Sequence, residues 1–171
     1  MTNWIASIAK KDELFIVEVL DLGVINLPMM NEPNHPSKKN YEHEHTKWWS
    51  NKIDEADAFI FVTAEYDFNY PAPLRNALEY LFQEWRYKPA GIVSYGGVSA
   101  GTRAFNSLKA DLSSFNIVPL IESVNFPFFS KNINENNEFT ANEISIKAVG
   151  IMLKQLKRWA KGLKAIREDR N

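Results

Sequence analysis

An α/β fold on an open parallel sheet is what this sequence predicts, on three observations. Two strand-like runs, residues 58–62 and 91–93, are apolar throughout rather than alternating, which suits strands covered on both faces. Each run ends in a polar turn rich in glycine or aromatic residues, and each turn opens a helical pattern. Strand and helix patterns alternate along the chain, as right-handed crossovers between parallel strands require. In such sheets ligands sit beyond the carboxyl ends of the strands, and both turns lie there.

Taken in order, Trp4, Ile5, Ile8 and Ala9 fall at helical spacing, so the chain opens in a helix that ends at Lys10 and Lys11. Residues 14–20 are rich in β-favouring side chains and read as a strand. Residues 21–39 carry Pro28, Pro33 and Pro36 with Asn31 and Asn34, a composition that breaks regular structure and makes a loop. Residues 41–56 form a helix with Trp48, Trp49 and Ile53 as its apolar stripe. The first strand-turn-helix unit then runs through the turn 63–71 into a helix over 74–81. The second runs through the turn 94–101 into a helix in which Ala104, Leu108 and Leu112 keep the period up to Ser114.

Residues 116–124 make a last strand, which Pro119 assigns to an edge, and 125–139 is a loop rich in Asn and Phe. Thr140 and Glu143 have the spacing of a capping box. The helix that follows carries Ile144, Ala148, Ile151, Met152, Leu156, Trp159 and Leu163 as its core stripe. No repeat or linker divides the chain, so residues 1–171 are read as one domain. Only the front is odd: a doubly wound domain starts with a strand and a phosphate-binding turn, and this chain starts with a helix.

A net charge of -1 offers no general attraction to nucleic acid or to an anionic membrane surface. The absence of cysteine excludes disulfides, thiolate metal sites and a cysteine nucleophile. No apolar run approaches the roughly 18 residues of a membrane span, and the amino terminus lacks the pattern of a signal peptide, so a cytoplasmic location is expected. Glu42, His43, Glu44 and His45 have the composition of a metal cluster, but residues two apart on a helix point to different sides, so no metal is expected there. His35 reads as an exposed loop residue, and Lys147, Lys154, Lys157, Arg158, Lys161, Lys164 and Arg167 read as the solvated face of the last helix.

Several segments in order carry a resemblance. Asp21-Leu22, Leu27-Pro28, Glu32-Pro33, the turn Glu65-Tyr66 with Tyr70-Pro71, Leu74-Arg75-Asn76-Ala77, and Ser94-Tyr95-Gly96-Gly97 with Gly101 and Arg103-Ala104 resemble the NADPH-dependent FMN reductase family. The resemblance implies a flavodoxin-like three-layer sandwich. It also implies that a P-E-Y-N turn and an S-Y-G-G turn contact the flavin ring, which carries onto Ala64, Glu65, Tyr66 and Asp67, and onto Ser94, Tyr95, Gly96 and Gly97. Ala64 stands where the pattern has proline and Asp67 where it has asparagine, and an ionised Asp67 beside the ring disfavours the anionic reduced flavin.

Flavin chemistry asks the protein for close backbone approach and aromatic walls rather than an acid-base triad, so no catalytic side chain is expected. Gly96, Gly97, Tyr66, Phe68, Tyr70 and Tyr95 are the right types. The implied reaction is hydride transfer from NADPH or NADH by way of FMN to a quinone, a flavin or a similar small-molecule acceptor, in a homodimer or tetramer. Arg103 either pairs with an acid across a dimer interface or helps hold the NADPH phosphate, and the sequence leaves both open.

Family members begin with a central strand and a loop that holds the FMN phosphate at a helix amino end. Met1 corresponds to the middle of that helix, so this first strand and the phosphate loop are expected to be absent. Losing three charge-assisted hydrogen bonds weakens FMN binding by about a thousandfold. That departure sustains a second reading, a flavin-free, truncated remnant of the fold acting as a binding or scaffold protein. An electron-carrying flavodoxin is the weakest reading, because such carriers are usually strongly acidic.

Overall fold

The computed structural model describes residues 1–169. Its helices are α1 (Thr2–Ala9), α2 (Leu22–Ile25), α3 (Glu44–Glu55), α4 (Ala72–Glu79), α5 (Thr102–Ser114) and α6 (Glu143–Glu168). The strands β1 (Phe59–Ala64), β2 (Pro89–Tyr95) and β3 (Val118–Phe126) alternate with them from α3 onward. The sheet is wholly parallel, with β2 between β1 and β3. This is the α/β, flavodoxin-like architecture expected.

The register decides where a ligand could sit. Ala64 lies opposite Tyr95, and Tyr95 lies opposite Phe126, so the three strands end level and their loops emerge side by side. Each face of the sheet is covered by helices, because alternate strand residues serve opposite cores. Ile92 belongs to a core with Trp49, Tyr80, Leu81, Trp85, Leu108 and Leu112, against which Phe59 and Phe61 pack. Val93 belongs to the other, with Ile5, Phe126, Val149, Met152 and Leu156, against which Ile60 and Val62 pack. Burying each such side chain contributes roughly 1.5 to 3 kcal/mol. At Gly91 a Cβ would lie 2.8 Å from the Met152 sulfur, so glycine is what lets α6 lie close on the sheet.

Several expectations are corrected. Residues 14–20 are not a strand: β1 pairs only with β2, and no described strand lies beyond β1 to give this segment a ladder. Phe15 and Val17 still rest on one core and Leu20 on the other, but Leu14 and Ile16 face solvent. The loop after it is more regular than its prolines suggest, with Asp21 capping α2 through the Gly23 amide at 2.9 Å and a 3-10 turn at Pro36–Lys38. On α3, Trp49 and Ile53 are buried while Trp48 points outward.

Asn142, not Thr140, caps α6, by accepting from the Ser145 amide at 2.8 Å. The Thr140 hydroxyl donates instead to the Asn132 carbonyl at 3.2 Å. The α6 core stripe is Val149, Met152, Leu153, Leu156 and Leu163, with Ile144, Ile151 and Trp159 exposed. His43 is the residue before the first turn of α3, with extended backbone, so its ring swings round to stack on His45 at 5.2 Å rather than pointing away. No group of metal-binding side chains is found among the described residues.

Candidate functional site

The level strand ends form a ledge from three loops. The turn after β1 is bound to the end of β2 by the Glu65 amide, which donates to the Tyr95 carbonyl at 2.9 Å. The loop after β3 clasps the glycine turn after β2: the Phe128 amide donates to the Gly97 carbonyl at 2.9 Å and the Phe129 amide to the Gly96 carbonyl at 3.2 Å. Tyr66 and Tyr95 therefore belong to one surface. Burial, then the neighbouring Tyr66, raise the Tyr95 hydroxyl above its ordinary value.

Residues 66–69 close a tight hairpin in which Tyr66 and Asn69 exchange both backbone hydrogen bonds at 2.9 Å. Its two central residues, Asp67 at φ 47° and Phe68 at φ 70°, are both left-handed, as a two-residue hairpin requires. Asp tolerates that region; Phe does not, and holding it there costs on the order of 1 to 3 kcal/mol. Ala100 and Phe128, in the other two loops, are also left-handed. Four of the nine left-handed non-glycine residues among the described residues thus lie in these three adjacent loops.

The glycines divide by role. Gly101, at φ 77°, has no room for a side chain, since a Cβ would lie 2.7 Å from the Tyr95 amide nitrogen. At Gly96 a Cβ would press on the Gly101 nitrogen at 3.1 Å. At Gly97 a Cβ would meet nothing within 4 Å, so that glycine leaves open space above the ledge rather than filling a packing need. Among the described residues, the amides of Gly97 and Val98 donate to no backbone acceptor.

The sequence-predicted residues fall into two groups. Tyr66 and Phe68 are two-thirds exposed, and Asp67 and Gly97 are exposed beside them, with Tyr95 and Gly96 half-buried at the base. Ala64, Tyr70 and Ser94 are buried. Tyr70 turns inward to hydrogen-bond Asp111, which also pairs with Arg75 at 2.7 Å. Burial, then that hydrogen bond, push its hydroxyl up to about 12. The Ser94 hydroxyl is engaged with the Ala100 carbonyl at 3.0 Å and the Asn125 amide at 2.6 Å, which fastens the glycine turn to β3.

Glu65 also turns away from the open surface. Its side chain is 7% exposed and accepts from the Ser99 hydroxyl at 2.8 Å, from the Arg103 backbone amide at 3.1 Å and from the Arg103 guanidinium at 2.9 Å. Arg103 thus pairs within the chain, and it also covers the Phe68 ring at 4.2 Å. Sequence reasoning missed Phe128 and Phe129, which extend the aromatic surface: the Phe129 ring lies 4.9 Å from that of Tyr95, and Lys131 covers Phe128 at 5.2 Å. The usable signal was an aromatic run directly after a strand whose end is level with the other two.

A hollow of about 310 Å³, lined by Leu22, Leu27, Met29, Pro73 and Asn76 among others, lies between α2 and the start of α4. Another of about 250 Å³, lined by Lys39, Glu84, Arg86, Lys88 and Arg167 among others, lies near the amino end of β2. The ledge itself is an open surface: glycine backbone with space above it, amide donors, and aromatic rings around. That combination fits the face and polar edge of a flat heteroaromatic ring.

The family model described as NADPH-dependent FMN reductase matches residues 1–131. An NAD(P)H-dependent FMN reductase of Schizosaccharomyces pombe is 39% identical over 131 residues, which are 74% of this chain and 65% of that protein. An NADPH:quinone oxidoreductase of Arabidopsis thaliana is 43% identical over 61 residues, 34% of this chain and 31% of that one. Among solved structures, the flavoenzyme NAD(P)H:(acceptor) oxidoreductase FerB of Paracoccus denitrificans superposes with a TM-score of 0.71 at 18% identity, over 95% of this chain and 90% of that one. The chain spans about two thirds or less of the curated relatives it matches.

Proposed function

We propose, for a chain that belongs to the NADPH-dependent FMN reductase family, that the ledge at its carboxyl edge holds the ring of FMN and supports oxidoreduction between NAD(P)H and a small acceptor. The single observation that carries this reading is the open space over Gly97 beside unpaired amides and exposed aromatic rings. FMN, when bound, supplies the hydride acceptor and donor of the reaction.

The chain's residues supply position and field. Gly96 and Gly97 let the backbone approach the ring, and the amides of Gly97 and Val98 offer donors to its electron-rich edge. Tyr66, Phe68 and Phe129 shield its sides from water. Asp67 puts a carboxyl where the P-E-Y-N pattern of the resemblance has an amide, so Asp67→Asn is expected to raise the reduction potential of bound FMN. An open ledge leaves one ring face free, first for the nicotinamide and then for a quinone, free flavin or similar acceptor. The working form on this reading is a cytoplasmic homodimer or tetramer of one-domain chains.

Mixing the purified chain with FMN, NADPH or NADH and a quinone, and following nicotinamide absorbance, tests the proposal. Oxidation that depends on added FMN is expected. A chain that neither quenches FMN fluorescence nor oxidises the nicotinamide is instead the flavin-free binding protein.

A further inference from the structure

We infer that Glu65 is a positioning residue rather than a ring contact: through Arg103 it clamps Phe68 into its strained turn as a wall of the ledge. The inference deepens the flavin reading and rests on it for the identity of the ligand. Several observations converge on the clamp. Both Glu65 oxygens are engaged, one by the Ser99 hydroxyl and the Arg103 guanidinium, the other by the Arg103 backbone amide. The Arg103 amide stands in the first turn of α5, where the helix dipole favours an anion.

Arg103, held at one end by Glu65, lays its guanidinium over the Phe68 ring at 4.2 Å, an attraction that strengthens as water is excluded. Phe68 has the left-handed backbone that disfavours a bulky residue, yet its side chain remains two-thirds exposed, so core burial does not explain the strain. An aromatic kept on the surface against its backbone preference, with a charge stacked over it, is a preformed wall for a flat ligand. The carboxyl of Glu65 is kept ionised: burial works against the charge, but the bonds from Ser99 and Arg103 outweigh it and hold the group below its ordinary range.

Two variants separate the clamp from the flavin reading. In Glu65→Gln, which keeps the shape and removes the charge, amide hydrogen exchange at Arg103 is expected to speed up roughly tenfold and FMN to bind roughly tenfold more weakly. In Phe68→Gly, relief of the turn is expected to raise the melting temperature while FMN binding, read by quenching of flavin fluorescence, still weakens. Loss of affinity with a gain in stability is an outcome that a purely structural role does not give. Unchanged exchange in Glu65→Gln overturns the clamp, and unchanged FMN affinity in Phe68→Gly overturns the wall. Wild-type chain that ignores FMN overturns the flavin reading, while the exchange data still decide the clamp.

Discussion

At the scale of single residues, the ledge separates side chains that build it from those that face outward. Tyr70 is a builder. Its folded-state hydroxyl titrates near 12 because of burial and then Asp111, whereas in an unfolded chain it titrates near 10. Between those values the folded state holds the proton more tightly, so this contribution is complete below about pH 10 and lost as the pH rises toward 12. Urea unfolding of wild type and Tyr70→Phe from pH 9 to 11.5 should therefore show a gap that narrows only above about pH 10; curves that stay parallel contradict the assignment. The residue types of the candidate site were legible only through the resemblance of the two turns taken together, because a glycine pair or an aromatic turn by itself more often marks an ordinary loop. Which way Glu65, Tyr70 and Ser94 turn was not, since that depends on partners 34 to 41 positions away or on another strand.

At the scale of elements, prediction followed hydrophobic pattern where the pattern meets a partner. β1, β2 and α5 emerged close to their expected places because both faces of the strands are covered and Ala104, Leu108 and Leu112 are all buried. Residues 14–20 have equally strong β composition yet form no strand, because a strand is a pairing and none of the described strands pairs with them. Their amides should exchange far faster than those of Ile92 and Val93, and slow exchange across 14–20 would contradict this. Ile16, which is fully solvent-exposed, should tolerate Ile16→Lys within about 0.5 kcal/mol. Ile92→Ala in the central strand should cost about 2 to 5 kcal/mol by chemical denaturation. The start of α6 shows the same limit of local reading: Asn142→Ala should cost about 1 kcal/mol and Thr140→Ala less, because only the former removes the cap.

At the scale of the whole molecule, level strand ends turn three separate loops into one surface. The parallel register sets Ala64, Tyr95 and Phe126 in a row, and the hydrogen bonds of Glu65, Phe128 and Phe129 then lock the loops to one another. Gly97 is the clearest probe of what that surface is for. A Cβ there meets no protein atom within 4 Å and the backbone is not left-handed, so Gly97→Val should fold as well as wild type. Titration of FMN with both proteins, followed by flavin fluorescence at matched melting temperature, tests the central claim directly. Saturable quenching by wild type, weakened at least about tenfold in Gly97→Val, is the predicted result. Equal quenching by the two proteins, or none by either, would contradict it.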